Sequence, residues 1–406
     1  MKLLLCHDDL SLRWTPFVET RPVGELLYGT LLLRERAERA LGVASTGYVG
    51  AAHLEGFDEP GAPPHVQHVN DGEENRILLS VRAALDGPPQ ELPSQPATLY
   101  VEGQVAGWIV PAGAGPPSPE RISGLQPGDG VRLDLPGRLL ERPWHLMAGN
   151  PERIAADVAR HARHNDAFQL TDVHVVGDRA VLLGDHAVVE PGVVLDTRAG
   201  PIWLDRNARI EGPARVSGPF YLGPDSIVLG GAVGTSSIGP ACVIRGEVVN
   251  SVILGYSNKR HDGHLGHAVL GRWVNLGADT SNSDLKNTYS SVRVRLPEGD
   301  VDTGLLKCGA FLGDHVRTGI GTLLNTGTVI GAATSIHGQA MPPASVPPFS
   351  WAKGDKLVEH RLERFLRTAA VAADRRGVQL SSGIRQVLTR AAERARAARD
   401  REANPR

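Results

Sequence analysis

Residues 255–267 gather groups able to move protons and hold anions: Lys259, Arg260, His261, Asp262, His264 and His267. A few positions on, Val274-Asn275-Leu276-Gly277-Ala278-Asp279-Thr280 sets a carboxamide beside a glycine corner. Transfer of an acyl group to an amine calls for these parts. The amine proton must pass to a group that titrates near neutrality, and imidazole is the natural acceptor. The tetrahedral oxyanion needs a donor, which a backbone N–H at a glycine corner supplies. A phosphorylated acceptor needs cations, and Lys259, Arg260 and Lys286 are the candidates nearby.

Such groups need a frame, and a six-residue beat running from about 183 to 336 provides one. Leu204, Ile210, Val216, Leu222 and Val228 fall six apart, as do Ile238 and Ile244, Leu270 and Leu276, and the run Leu312, Thr318, Leu324, Ile330 and Ile336. A small or apolar residue follows four positions later, as at Ala208, Cys242 and Val274, and Gly or Asp often follows one position later, as at Asp205, Gly239 and Gly271. A period of six is neither helical nor simple strand alternation. It suits a parallel β-helix, in which three short strands make one triangular coil and aliphatic side chains stack coil upon coil. The Gly or Asp is expected to let the backbone turn the corner. Prisms of this kind commonly trimerise and work at the seams between chains. The beat breaks over 255–269 and again over about 281–310, which predicts two excursions from the corners. His261, His264 and His267 would all lie on the first. Three imidazoles three apart on one loop do not resemble a zinc site whose ligands converge from separate rungs, so no metal is expected there. His315 and His337 are expected as exposed corner residues.

The rest of the chain reads as α/β before the prism and helical after it. At 406 residues, two or three domains are expected. Residues 2–6 predict a strand ending in His7-Asp8-Asp9; residues 26–41 predict a helix stopped by Gly42; residues 43–49 predict a second strand. Residues 76–85 read as helix, and 98–101 with 105–110 as a hairpin. Asn150-Pro151 opens a helix through about Asn165, with Asn as cap and Pro in the first turn. Two Arg/Ala/Glu-rich helices are predicted over 355–374 and 382–399. A net charge of −2 leaves no basic surface suited to nucleic acid. Cys6, Cys242 and Cys308 form no CxxC pair, and no stretch approaches a membrane span, so a reducing cytoplasm is the expected location.

The longer blocks carry a resemblance. Thr20-Arg21-Pro22-Val23, Arg142-Pro143-Trp144, Tyr256-Ser257-Asn258-Lys259, His261-Asp262-Gly263, Val274-Asn275-Leu276-Gly277-Ala278, Ser283-Asp284-Leu285-Lys286-Asn287 and Asn325-Thr326-Gly327-Thr328-Val329-Ile330-Gly331 are among them. Together they resemble the family of the bifunctional N-acetylglucosamine-1-phosphate uridylyltransferase/glucosamine-1-phosphate acetyltransferase, in its branch of sugar nucleotidyltransferases with a left-handed β-helix. The resemblance implies a degenerate nucleotidyltransferase-like α/β domain over 1–148, a bridging helix over 149–170, a left-handed parallel β-helix over 171–350 and a helical extension over 351–406. It also implies a homotrimer, acetyl-CoA as donor and an amino-sugar phosphate or nucleotide sugar as acceptor. His261 falls on the family's catalytic base, Asn275 on its sugar-binding Asn, and Gly277-Ala278 on backbone that meets the acetyl thioester. Lys259 and His264 are the further substrate contacts, and Lys286 a further contact to the coenzyme. An acceptor-binding Lys of the family stands here as Val249, and a Tyr three residues after the base as His264, which leaves the acceptor open.

The first domain departs further. A nucleotidyl-transfer site carries a Gly-rich loop after its first strand, so that backbone N–H groups cradle the triphosphate. This chain has His7-Asp8-Asp9-Leu10-Ser11-Leu12-Arg13 there, without glycine, and Pro22-Val23 where the family has Pro-Lys. Asp8 and Asp9 would repel a polyphosphate unless Mg²⁺ intervened. Two alternatives to an acetyltransferase therefore stand: retained nucleotidyl transfer, and a non-catalytic scaffold that binds a sugar nucleotide.

Overall fold

The computed structural model describes residues 1–67, 69, 72–162, 173–338, 341–353 and 356–403. Contacts divide the chain into two units, Met1–Leu26 with Leu31–Arg142 and Ser381–Ala391, and Leu27–Thr30 with Pro143–Leu380 and Ala392–Arg406.

The first unit is built on a seven-stranded sheet in which Lys2–Cys6 is an interior strand, paired in parallel with Ser45–Val49 on one side and with the central strand Arg76–Ser80 on the other. Gln104–Val110 runs antiparallel to Arg76–Ser80 and to its hairpin partner Ala97–Val101. Residues 76–85, read from sequence as a helix, are two strands, Arg76–Ser80 and Ala83–Leu85. The misreading has a physical cause. The strand is buried on both faces, so its apolar run lacks the alternation that would have marked it. The helix expected over 26–41 is confined to Leu33–Leu41, and Gly42 ends it in the left-handed conformation at φ 67°, its N–H returned to Glu38 O.

The second unit is a left-handed parallel β-helix closed by helical segments. Its inward positions, among them Leu204, Ile210, Val216, Leu222, Val228, Ile244, Leu270, Leu312 and Ile330, are buried in one continuous column. Each such side chain contributes about 1.5–3 kcal/mol by leaving water. The corner chemistry differs from the expectation. Left-handed φ falls not on the Gly or Asp after the aliphatic but two residues later, on Asn207, Asp225, Ala241, Tyr256, Trp273, His315 and Ala333. The glycine serves spacing between coils instead. A Cβ on Gly239 would lie 2.2 Å from the Leu254 carbonyl oxygen of the next coil.

The first expected excursion is in fact a full coil. Asn258–Lys259 pairs with Val243 and Ile244, and His264–Gly266 pairs with Glu247, Val248 and Val249. Inward positions continue through Ile253, Lys259 and Leu265, then Leu270, Leu276 and Asn282. Two polar residues at the hexad position hid the beat. The true excursion leaves after Ser281–Asn282 and carries the antiparallel hairpin Arg293–Leu296 with Gly299–Asp302. The coil resumes at Phe311–Leu312, which pairs directly with Val269 and Leu270.

Asn150–Ala162 is helical; residues 163–165 of that prediction lie outside the described residues. The Asn150 carboxamide oxygen accepts from Gly29 N–H and the Ser237 hydroxyl. The expected helix over 355–374 begins only at Leu362, because Lys356–Glu359 is a strand antiparallel to Ser350–Lys353, while residue 355 itself lies outside the described residues. Phe365 anchors this Leu362–Asp374 helix against the rings of His315, Phe349 and His360, with centroids 5.2–5.6 Å away. His315, expected to be exposed, is therefore buried, whereas His337 is exposed. The last helix is Ser382–Ala403. No helix among the described residues is long and apolar enough to cross a membrane.

Candidate active site

The coil that carries His261 is held from inside. Lys259 occupies the inward position stacked on Ile244, is 3 % exposed, and spends its ammonium on two carbonyl oxygens, Arg245 O at 2.8 Å and His261 O at 3.1 Å. Burial pulls its pKa down to about 8, against the opposing pull of Asp262, Asp279 and Glu247. Lys259 thus faces the column and not a phosphate, contrary to the sequence-based expectation. It fixes the backbone at which His261 turns outward. The His261 ring is exposed and makes no hydrogen bond among the described residues.

His264 stands one strand later, half-buried, with Nδ1 3.2 Å from Glu247 Oε2. His267, expected on the first excursion, is the most constrained imidazole of the three. Its Nδ1–H donates to Asp284 Oδ2 at 2.7 Å, and its Nε2 accepts from Asn250 Nδ2 at 3.1 Å. Burial lowers its pKa while Asp284 opposes the shift. Asn250, His267 and Asp284 follow one another at intervals of 17 residues, the length of a coil here. The same interval joins Asn258 to Asn275, whose carboxamides stack with Asn258 Nδ2 donating to Asn275 Oδ1 at 3.0 Å. That interval was the signal in the sequence that would have found the pairs. Among the described residues no group of three His, Cys, Asp or Glu could hold a metal ion.

On the following coil, Gly277 and Ala278 behave differently. Gly277 N–H is taken up by Thr318 O and Oγ1, both at 3.1 Å, so it is not a free oxyanion donor. Glycine is needed there because a Cβ would lie 2.5 Å from the Gly319 backbone. Ala278 gives its carbonyl to Gly321 N–H, while its own N–H donates to no group among the described residues. That N–H is the donor an acyl carbonyl could use. Lys286 Nζ donates to Ser291 O at 2.6 Å and ties the base of the excursion. The exposed Arg260 and the half-buried Asn275 and Arg317 face a cavity of about 700 Å³, closed by the Leu362–Asp374 helix and the arginines after it.

In the first unit, the loop after the opening strand is occupied by its own anion. Asp8 Oδ1 accepts from the N–H groups of Leu10 and Ser11, each at 3.0 Å; Oδ2 accepts from Ser80 Oγ at 2.7 Å, and Arg82 Nε lies 2.9 Å from Oδ1. Asp8 is 1 % exposed. Where the resembled family would have a phosphate-binding Lys, Val23 is buried, and its N–H donates to His7 Nε2 at 3.4 Å. Burial pushes His7 down to about 3, so it stays neutral.

Residues 3–165 match the family model described as sugar nucleotidyl transferase. The bifunctional sugar-1-phosphate nucleotidylyltransferase/acetyltransferase of Sulfurisphaera tokodaii is 37 % identical over 91 residues, 22 % of this chain and 23 % of that protein. An uncharacterised acetyltransferase of Escherichia coli, YaiX, is 24 % identical over 178 residues, 41 % of this chain and 74 % of its own length. The bifunctional protein GlmU of Xylella fastidiosa is 27 % identical over 207 residues, 47 % of this chain and 42 % of GlmU. The chain thus spans about a quarter of the first of these relatives and less than half of GlmU. It carries a nucleotidyltransferase-type first domain and is homologous, at low identity, to nucleotidyltransferase/acetyltransferases of the GlmU kind.

Proposed function

We propose that the chain is an acetyl-CoA-dependent N-acetyltransferase whose acceptor is an amino-sugar phosphate or nucleotide sugar. The observation that carries this reading is the outward imidazole of His261, on a corner whose carbonyl is clamped from within by Lys259. The coil above presents the Asn275 carboxamide and the Ala278 N–H. In the proposed reaction the acceptor amine attacks the thioester carbon directly. His261 takes the amine proton as the bond forms, and Ala278 N–H stabilises the developing oxyanion. Collapse of the tetrahedral intermediate releases the coenzyme thiolate, which is protonated. Asn275 orients the acceptor. A homotrimer would bring a neighbouring chain to this corner and shield it from water.

The first domain is proposed to have lost nucleotidyl transfer, because the Asp8 carboxylate already fills the anion position at Leu10 and Ser11. Thiol release from acetyl-CoA, followed with a panel of amino-sugar phosphates and nucleotide sugars, tests the main reading. Turnover with at least one of them, lost in His261→Ala while light scattering still gives a trimer, is the expected result. Turnover unchanged in that variant sinks the assignment.

A further inference from the structure

The cavity beneath the Leu362–Asp374 helix is lined by four arginines, Arg260 and Arg317 from the coils and Arg375 and Arg376 from the segment following the helix. None of them makes an ion pair or side-chain hydrogen bond among the described residues, and no carboxylate among those residues lines the space. Guanidinium stays charged at any physiological pH, so about four positive charges border one cavity that has no carboxylate among its described lining residues. An anion bound in the cavity would offset that charge through charge-assisted hydrogen bonds. Burial alone disfavours the charged form of Arg317. The wall also offers the stacked carboxamides of Asn258 and Asn275, with amide donors and acceptors at one edge, and the edge of the Tyr256–Trp273 stack, whose centroids are 4.5 Å apart. Both aromatic residues hold the left-handed φ of the coil corners, at 53° and 64°.

Charge decides the class of ligand. A sugar monophosphate carries about two negative charges and would leave roughly half of the cluster unmatched. A second phosphate brings more acceptor oxygens to four forked donors. The volume of about 700 Å³ is within the range of sites that enclose a whole small-molecule ligand. We propose that this cavity binds a pyrophosphate-bearing nucleotide through Arg260, Arg317, Arg375 and Arg376. The site deepens the acetyltransferase reading, since it shares Asn275 with the acceptor position, and it rests on that reading only for which substrate brings the nucleotide. The pyrophosphate could belong to a nucleoside-diphosphate acceptor or to coenzyme A.

Isothermal titration of the full chain with inorganic pyrophosphate, UDP, coenzyme A and glucosamine 1-phosphate separates the possibilities. Pyrophosphate and at least one of UDP and coenzyme A are expected to bind, more tightly than glucosamine 1-phosphate and more weakly as salt is raised. Arg317→Gln, and independently the double variant Arg375→Gln with Arg376→Gln on the exposed side, are expected to lose about tenfold or more in affinity. The double variant guards against a folding defect in the first. UDP as the ligand assigns the pocket to the acceptor, and coenzyme A assigns it to the donor; either result supports the site. Absence of binding by all three at about millimolar concentration, indifference to the arginine substitutions, or equal binding of glucosamine 1-phosphate overturns it. His261→Ala is expected to bind as the unaltered chain does. If that variant keeps its thiol release while the arginine variants lose binding, the assigned base fails and the site stands.

Discussion

Two buried charges stand where the two units would do chemistry, and they act in opposite ways. In the first unit Asp8 turns inward and takes the N–H groups of Leu10 and Ser11, the Ser80 hydroxyl and the Arg82 guanidinium. Those are donors a phosphate would need. In the β-helix Lys259 also turns inward, but it takes only carbonyl oxygens, those of Arg245 and His261, and leaves the His261 imidazole outside. The first charge fills an anion position with the chain's own carboxylate. The second fixes the backbone beneath an exposed imidazole. Burial of a charge therefore says little by itself; the atoms it consumes decide whether chemistry remains.

The contrast can be broken most forcefully at His261. In His261→Ala, thiol release should fall by about 10²–10⁴, the usual worth of a general base, with an unchanged thermal melt. A variant that melts early would mean that the imidazole holds the coil together. Next comes Asp8→Ala, which leaves Arg82 buried without its carboxylate. Urea unfolding should show a loss of about 3–5 kcal/mol, and the unaltered chain should release no pyrophosphate from UTP and a sugar 1-phosphate with Mg²⁺. Pyrophosphate release by the unaltered chain would show that Asp8 does not close the loop. Gly277→Ala should cost about 1–3 kcal/mol, because its Cβ would push against the backbone of Gly319 and Ile320; a melt within about half a degree of the parent would show that the coils can part.

The subtlest test is Lys259→Met. Turnover should fall by about tenfold as the His261 corner loosens, while stability at pH 7 should equal or exceed that of the parent. The sign with pH follows from the lowered pKa. Below about 8 Lys259 is charged in both folded and unfolded chains, and its burial is a cost. Between about 8 and the ordinary 10.5 the folded chain sheds a proton that the unfolded chain keeps. Stability of the parent then rises with pH, by at most about 1.4 kcal/mol per unit. The advantage of the Met variant should therefore shrink between pH 8 and 10 in paired melts. A constant gap would mean the lysine is not buried as described.

The prism was legible because its aliphatic column repeats at a fixed interval and each inward residue is stacked on its counterpart. Legibility failed where one member of the column is polar. Lys259 and Asn282 sit inward with every polar function met by backbone: Asn282 accepts from Gly266 N–H and donates to Gly266 O. Counting only aliphatics, the beat stops; the backbone ladder does not. His261, Asn275 and Ala278 were proposed from the order of residues around corners, which the blocks of sequence preserve. His267 with Asp284, and the arginine pocket, were not found. The first pair lies a full coil apart, and the second joins coils to a helix about 60 to 110 residues later. In the first unit, Arg76–Ser80 failed for a third reason: a strand covered on both faces has no polar side to betray its period.

The excursion after Asn282 has a further consequence. It is stapled at its root by Cys308 N–H to Asp284 O and Gly309 N–H to His267 O, and the strands on either side of it, Val269–Arg272 and Phe311–Leu312, pair as if nothing lay between. Its hairpin can then lengthen, shorten or be exchanged for another without shifting the register of any coil. The excursion is in that sense a detachable part, so a lineage could alter this one loop while every coil of the column stays in place.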